Sequence, residues 1–259
     1  MQIRSQVLKL IATPGTDTRF FDSYLPQSIR TATGCRPHEV WEALYGLLAD
    51  GIIYLDPERQ PSTDNWRWKL STRGLKAVEG GPWEPHDPEG YLLRLRRQIP
   101  DLHPIAYQYM QEALQAFNAG CYLACSVMLG VAAEQVFIGV ADSMVSALGT
   151  TADKLRKELD NPKSSQNARF QALRARLEPL RNTLPDDLGD TLTMDAVADL
   201  LRITRNEAGH PHGRPVDEDT AYTHLQMAAR YLGKMTTLQE HFAQQAAAQS
   251  PTPGPNARP

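Results

Sequence analysis

Residues 121–148 read CYLACSVMLGVAAEQVFIGVADSMVSAL and form the most apolar stretch of the chain. Apolar residues recur here at helical spacing, over a length that favours a helix. Glu134, Gln135 and Asp142 interrupt the run, so no uninterrupted window of about 18 apolar residues exists and no membrane span is expected. The stretch therefore predicts a buried core helix.

Runs with the same period flank this stretch and predict a helical bundle of four to five helices over residues 95–245. They are LHPIAYQYMQEALQAFNAG (102–120), RFQALRARLEPLRN (169–182), TMDAVADLLRITRNEAGH (193–210) and DEDTAYTHLQMAARYLGKMTTLQEHFAQQ (217–245). The chain closes with PTPGPNARP, and residues 246–259 are predicted to be a disordered tail.

The first 80 residues follow a different rhythm. Three short helical patterns come first, then two β-favouring runs around a turn-rich segment, then one more helix. The runs are QIRSQVLKLIA, LPQSIRTAT, HEVWEALYGLLADG, IIYLD, WRWKLS and TRGLKAVEG. This order, with ADGIIYLD followed by WKLSTRGLKAV, resembles winged-helix regulators. The predicted fold class is mainly α, with a winged helix over 1–80 ahead of the bundle.

Glycine and proline concentrate in GGPWEPHDPEG (80–90), which lacks a periodic apolar face. A segment of this composition is typical of a linker. We therefore predict a linker over residues 81–94 between two domains.

Composition indicates a soluble globular protein. Of 259 residues, 41% are hydrophobic and 22% charged, and the formal net charge of −3 does not indicate a generally basic surface for binding polyanions. A net charge of −3 is nevertheless compatible with a local basic cleft. Three cysteines without a CxxC spacing, and no secretory pattern in MQIRSQVLKL, predict a cytoplasmic protein.

The segment LRITRNEAGHPHGRP (201–215) carries the strongest functional signal. Arg205 and Asn206 fall in the last turns of the predicted helix 193–210. Gly209 suits a left-handed C-terminal cap, and the following proline biases His210 away from helical dihedrals. The segment thus joins a planar, always charged phosphate binder to the side chain that titrates near neutral pH.

Arg205, Asn206 and His210 together resemble the Arg-polar-x-x-x-His signature of HEPN domains. Those are all-α domains, many of them metal-independent endoribonucleases in toxin–antitoxin, phage-defence and CRISPR systems. The resemblance covers about residues 95–245. It implies that Arg205 and His210 are the catalytic pair, that Asn206 is the polar residue following the arginine, and that sites form where two copies meet. It also implies an RNA substrate, a homodimer and no metal or other cofactor.

The residue types fit cleavage by attack of a ribose 2′-OH. That reaction needs a base for the hydroxyl, an acid for the leaving 5′-oxygen and positive charge near the phosphate. His210 can act as base or acid, and Arg205 can hold the phosphate through two parallel hydrogen bonds. We therefore predict a metal-independent endoribonuclease in a prokaryotic defence or toxin–antitoxin role, with a possible antitoxin or defence-system partner.

Two other functions remain open. One is a catalytically inactive HEPN scaffold whose winged helix binds DNA or a partner protein, so that the chain acts as a regulator, antitoxin or interaction module. The other is a nucleotide-binding sensor.

Several further residues are candidates for supporting roles in the bundle. Glu134 could hold Arg205 in place, or could mark the wet face of its helix. His212 could contact RNA, or pair with His210 as metal ligands, although no partner ligands stand at zinc spacing. Cys121 and Cys125 fit core packing.

In the predicted winged helix, four side chains could contact phosphates: Arg36, His38, Arg67 and Lys69. Glu39 and Glu42 share the third helix and would repel a DNA backbone, so protein docking is an equal alternative. Three tryptophans are expected as core or interface anchors: Trp41, Trp66 and Trp68.

Overall fold

The computed structural model describes residues 3–20, 24–59, 61–81, 83–184 and 215–249. Over these ranges the chain is mainly helical with one small two-stranded antiparallel sheet, which confirms the predicted mainly α class. The chain divides into two compact units. One comprises Met1–Arg97 with Leu114–Cys121, and the other comprises Gln98–Ala113 with Tyr122–Pro259.

The first unit contains helices and strands at every position where the pattern of residues 1–80 predicts them. In chain order they are α1 (Ile3–Ala12), α2 (Tyr24–Thr33), α3 (Pro37–Ala49), β1 (Ile53–Asp56), β2 (Arg67–Leu70), α4 (Thr72–Glu79) and then α5 (Pro88–Gln98). The two strands pair antiparallel, with Tyr54 opposite Lys69. Helix α5 lies where a linker was expected.

The core of the first unit forms because each amphipathic helix turns its apolar stripe inward. Fully buried side chains come from α1, α2, α3 and the hairpin: Val7, Leu25, Ile29, Val40, Leu44, Ile53 and Trp68. Gly51, with φ of 67°, ends α3 in the left-handed conformation that glycine adopts without steric cost.

Helix α4 begins in close contact with Ile52, the residue that precedes β1. The Ser71 hydroxyl accepts the backbone N–H of Gly74 at 3.0 Å and itself donates to the carbonyl of Ile52 at 3.0 Å. A Cβ on Gly74 would collide with that same carbonyl oxygen. Glycine is thus required here by packing, since the helix backbone lies directly against the backbone of Ile52.

Residues 81–94 are not the exposed linker that their composition predicts. Glu84 and His86 are buried, with 5% and 3% of their surface exposed, and α5 starts at Pro88. The Asp87 carboxylate accepts the backbone N–H of Gly90 at 3.1 Å, which caps that helix. Proline and glycine here make a tight turn that a buried acid–imidazole pair anchors, so the segment belongs to the first unit.

Arg73 joins three chain segments of the first unit. Its guanidinium donates to the carbonyl of Asp50 at 3.1 Å, and to the carbonyl and side-chain oxygen of Asn118 at 2.6 and 2.9 Å. The Asn118 amide in turn donates to the carbonyl of Pro85 at 2.8 Å. Residues 114–121 are therefore fixed to the first unit by side-chain hydrogen bonds as well as by packing.

The second unit is built from α-helices in its described part. They are the first ten residues of α6 (Pro104–Asn118), α7 (Tyr122–Leu148), α8 (Asp153–Asp160), α9 (Gln166–Leu177) and α10 (Glu218–Gln249). Helix α8 was not predicted, because Leu155 is the single side chain it buries and it has almost no apolar pattern. The predicted helix 193–210 lies outside the described residues.

Helices α7 and α10 form the main packing interface of the second unit. Val136, Phe137 and Val140 of α7 are at most 2% exposed, as are Leu232 and Met235 of α10. Buried Tyr231 donates its hydroxyl to the carbonyl of Ala133 at 3.0 Å. Residues 122–148 thus form the core helix that the sequence predicts over residues 121–148.

Within the described residues, one helical stretch, Tyr122–Asp160, is long and apolar enough to cross a membrane by length and composition. Half of its most apolar window is buried inside the protein. Core helices of soluble proteins pass the same test, so the stretch is weak evidence for a membrane span.

Helix α10 runs to Gln249, which is four residues into the predicted disordered tail 246–259. The remainder of that predicted tail lies outside the described residues.

Candidate functional site

The proposed catalytic motif falls on residues that the structure does not describe. Arg205, Asn206, His210 and His212 all lie in the range 185–214. The described neighbourhood of this range is the chain on either side of it, at Leu184 and Pro215. These two positions, and the polar side chains on α7 and α10 near them, are what the structure describes next to this range in the chain.

Leu184, the last described residue before the motif, lies beside the C-terminal end of α7. Leu184 lines a cleft of about 440 Å³ together with Leu148, the last residue of α7, and Phe242 of α10. After the motif, Glu218 opens α10 and its carboxylate accepts the hydroxyl of Tyr122 at 3.0 Å. Because Tyr122 is the first residue of α7, the two flanks of the motif segment lie at opposite ends of this helix.

A buried polar pair interrupts the apolar packing of α7 on α10 near the second flank. Ser126 Oγ lies 3.4 Å from His224 Nδ1, and the two residues are 2% and 7% exposed. Buried polar groups cost free energy unless they are paired, and the contact between Ser126 and His224 offsets part of that cost. We call Tyr122, Ser126, Glu218 and His224 the polar seam.

The sequence pattern did not single out the polar seam. His224 stands in an amphipathic helix and Ser126 in an apolar one, 98 residues apart, so no local spacing links them. The detectable signal was a histidine at a core-facing position of the last helix, where an apolar residue is usual.

Glu134 occupies a partly buried position on α7, next to fully buried Ala133 and two positions before buried Val136. It lies on the face of α7 that is only partly covered. This position fits both a role in holding Arg205 and a place on the solvent-facing side of the helix. Its suggested partner, Arg205, lies outside the described residues.

The hairpin cations predicted to contact nucleic acid are engaged by carboxylates. Lys69 Nζ lies 2.8 Å from both Asp56 Oδ2 and Glu58 Oε1. Arg67 lies 3.1 Å from Glu58 Oε2 and 3.4 Å from Asp17 Oδ1. A DNA phosphate would have to compete with two carboxylates at each of these cations.

The pKa values of the hairpin residues reflect these pairs. Hydrogen bonds from Lys69 lower the pKa of Asp56 and Glu58, and the reciprocal bonds raise the pKa of Lys69. A hydrogen bond from Arg19 is the largest cause that lowers the pKa of Asp17 to about 2. The hairpin therefore presents paired charges rather than a basic strip.

The start of α3 shows the same pairing. Arg36 donates its backbone N–H to Glu39 Oε2 at 2.6 Å and its guanidinium to Glu39 Oε1 at 3.0 Å. Its side chain is 72% exposed, and His38 is also exposed. Both side chains are accessible to a ligand, with Glu39 and exposed Glu42 beside them on the same helix.

The aromatic residues of the first unit form a connected cluster. Phe20 contacts Trp41 and Trp68 with ring centroids 6.3 and 5.7 Å apart, and Tyr45 contacts Trp68 at 6.3 Å. Trp68 is 1% exposed, whereas Tyr45 is 50% exposed. Trp66 is partly buried. Trp68 thus anchors the core, and the cluster reaches the surface at Tyr45.

Among the described residues, no three His, Cys, Asp or Glu side chains converge as metal ligands would. Cys125 is buried, and burial raises the pKa of its thiol to about 12. Cys121 is exposed.

Comparisons of the chain with family models, with curated proteins and with solved structures gave no match.

Proposed function

We propose that this chain is a metal-independent endoribonuclease of the HEPN type, acting in prokaryotic defence or in a toxin–antitoxin pair. The observation that carries the proposal is the motif Arg205-Asn206-x-x-x-His210, which directly precedes the last long helix of a helical unit. Arg205 clamps the scissile phosphate, and His210 transfers protons to and from the reacting oxygens.

The flanks of the motif support a site near the polar seam. Seven residues lie between His210 and Glu218 in the chain. The eight Cα–Cα steps between the two limit their separation to about 28 Å. Helix α7 is about 40 Å long, from its 27 residues at 1.5 Å each. Glu218 is bonded to Tyr122 at the start of that helix. This limit favours the end of the unit that carries Ser126 and His224.

The chemistry supports a homodimer. One motif supplies one imidazole, whereas phosphodiester cleavage asks for both an acid and a base. Two copies of the chain supply two. Leu123 and Ile138 of α7 are large apolar side chains that are 46% and 40% exposed. They stand 15 residues apart, about four helical turns, and so lie on one face of the helix. We assign the dimer contact to this face of α7.

We infer a winged helix from the order of elements in the first unit. Three helices, an antiparallel hairpin and a fourth helix follow one another as in that fold. The carboxylate pairs at Arg67 and Lys69 favour a protein-docking or dimer-positioning role over a role in DNA binding. The exposed aromatic edge at Tyr45 is a fitting contact for a protein partner.

A catalytically inactive HEPN scaffold that acts as a regulator, antitoxin or interaction module is the second candidate. The same docking face, Tyr45 with Trp41, is the observation that favours it, because such a face is useful with or without catalysis.

Expression in a bacterial host separates the two candidates. We expect the intact chain to arrest growth and the Arg205→Ala chain to be tolerated. Arg230→Ala, an exposed arginine of α10, is the matched control and should arrest growth like the intact chain. Tolerance of the intact chain at the expression level of the variants, or arrest by both arginine variants alike, supports the scaffold.

A further inference from the structure

A small polar cleft in the first unit takes no part in the proposed nuclease chemistry. Its volume is about 190 Å³, and its walls come from α1, the end of α4, the glycine pair that follows and the start of α5. Leu8 and Tyr91 are its most buried apolar lining, with 5% and 1% of their surface exposed. Clefts for drug-sized ligands usually measure about 300 to 1,000 Å³, so this one suits a much smaller molecule.

The cleft carries charges of both signs. Lys9 and Arg94 contribute cations, and Glu84 and Asp87 contribute carboxylates. Glu84 is committed to His86, since its Oε1 lies 2.5 Å from the imidazole Nδ1. Arg94 and Asp87 are therefore the two charged side chains that we expect to contact a ligand.

Arg94 holds a hydrogen-bond donor that the protein leaves unused. Its Nη1 is buried, and no hydrogen-bond partner reaches it in the described structure. The guanidinium rests on the Trp83 ring, 5.8 Å from the centroid, which restricts its movement. A buried donor without an acceptor costs about 1–3 kcal/mol, so an anionic oxygen bound here would be favoured.

Asp87 offers the complementary group. Its Oδ1 accepts the N–H of Gly90, and a Cβ on that glycine would collide with Oδ2, so the carboxylate packs directly against the backbone. Burial is the main cause that raises the pKa of Asp87, against the opposing charges of Arg94 and Arg4. A ligand ammonium group would offset this desolvation.

We propose that this cleft binds a small zwitterion, of the size and charge pattern of a free amino acid. The ligand carboxylate pairs with Arg94 and the ligand ammonium group pairs with Asp87. A plain anion would face the two carboxylates of the cleft, and a plain cation would face Lys9 and Arg94. A molecule that carries both charges can pair with the cations and the carboxylates of the cleft at once.

Gly81 provides a way to fill the cleft without disturbing the fold. It lines the cleft, and a Cβ built on it meets no atom within 4 Å. Gly81→Leu should therefore add bulk at the wall while the protein keeps its melting temperature. Arg97, exposed on the same helix as Arg94, supplies the matched control Arg97→Gln.

The test uses the full chain and the common L-amino acids, each titrated separately by calorimetry. At least one should bind. Arg94→Gln should weaken binding about tenfold or more, through the loss of one hydrogen bond to a charged group. Gly81→Leu should weaken it by a similar factor, because the added side chain takes up cleft volume. Arg97→Gln should bind as the wild type does. Should Arg94→Gln fail to fold, Gly81→Leu decides alone.

Three results would overturn the proposal. The first is that no amino acid binds at millimolar concentration. The second is that binding survives Gly81→Leu in the folded protein. The third is that acetate binds as tightly as the amino acid, because the cleft would then recognise an anion and not a zwitterion.

Discussion

The Glu84 carboxylate and the His86 imidazole form a buried pair, with Oε1 and Nδ1 2.5 Å apart, inside a segment whose composition is that of a linker. The imidazole also lies edge-on to Phe117, with ring centroids 5.2 Å apart. Removing one side chain of this buried pair takes a hydrogen-bonding group away from the other, at a cost of about 1–3 kcal/mol.

We therefore expect Glu84→Ala and His86→Ala each to destabilise the protein strongly, and the double variant to cost less than the sum of the two. Urea unfolding of the three variants measures this double-mutant cycle. Additive losses would show that the two side chains act independently and that the segment is only loosely attached.

The contact between α4 and Ile52 leads to a second prediction. Gly74→Ala forces a methyl group against the Ile52 carbonyl oxygen and should lower the free energy of unfolding by about 1–3 kcal/mol, as overpacking does. Gly81→Ala is the control, because a Cβ there meets no atom within 4 Å. Equal stability of the two variants would contradict the described contact.

The hairpin charges predict a specific acid sensitivity. The folded-state pKa of Asp17 is about 2, below the unfolded value near 3.8, so its stabilising effect is present at neutral pH and is lost as pH falls from about 4 to 2. Asp17→Asn should lower stability at pH 7 and flatten the stability–pH curve in that window. A curve parallel to the wild type across the window would contradict the pairing with Arg19 and Arg67.

The assigned dimer face can be tested by adding a charge to it. Ile138→Arg should convert the dimer to a monomer in light scattering and reduce RNA cleavage, since cleavage needs two motifs. Leu75→Arg, at an exposed apolar residue of α4, is the matched control and should remain dimeric. A monomeric wild type with full cleavage activity would refute the dimer proposal.

Much of the fold could be predicted because apolar periodicity is a local property. The stripe of Val40, Leu44 and Leu47 defines α3 without any other part of the chain. By contrast, the Glu84–His86 pair escaped detection because burial of polar residues depends on what packs over them, here Phe117. The polar seam escaped for the same reason, as Ser126 and His224 meet only after folding.

The hairpin cations show which features of a candidate site cannot be predicted from the sequence. Arg67 and Lys69 alternate on a strand as phosphate-binding residues would, yet Asp56 and Glu58 neutralise them across the hairpin. Residue types on one strand could be read from the sequence, whereas their partners depend on the strand register. Arg205 and His210 were proposed from their spacing and their position relative to a predicted helix end, which are local features of the sequence.

Cleavage of RNA in the presence of EDTA, by the wild type and by His210→Ala, tests the central proposal most directly. The wild type should cleave with EDTA present and leave 2′,3′-cyclic phosphate or 3′-phosphate ends. His210→Ala, without its proton-transfer group, should be slower by about 10²- to 10⁴-fold. Arg205→Lys should not restore activity, because an ammonium lacks the planar two-point geometry of a guanidinium. Cleavage that EDTA abolishes, or that His210→Ala retains in full, would contradict the nuclease proposal.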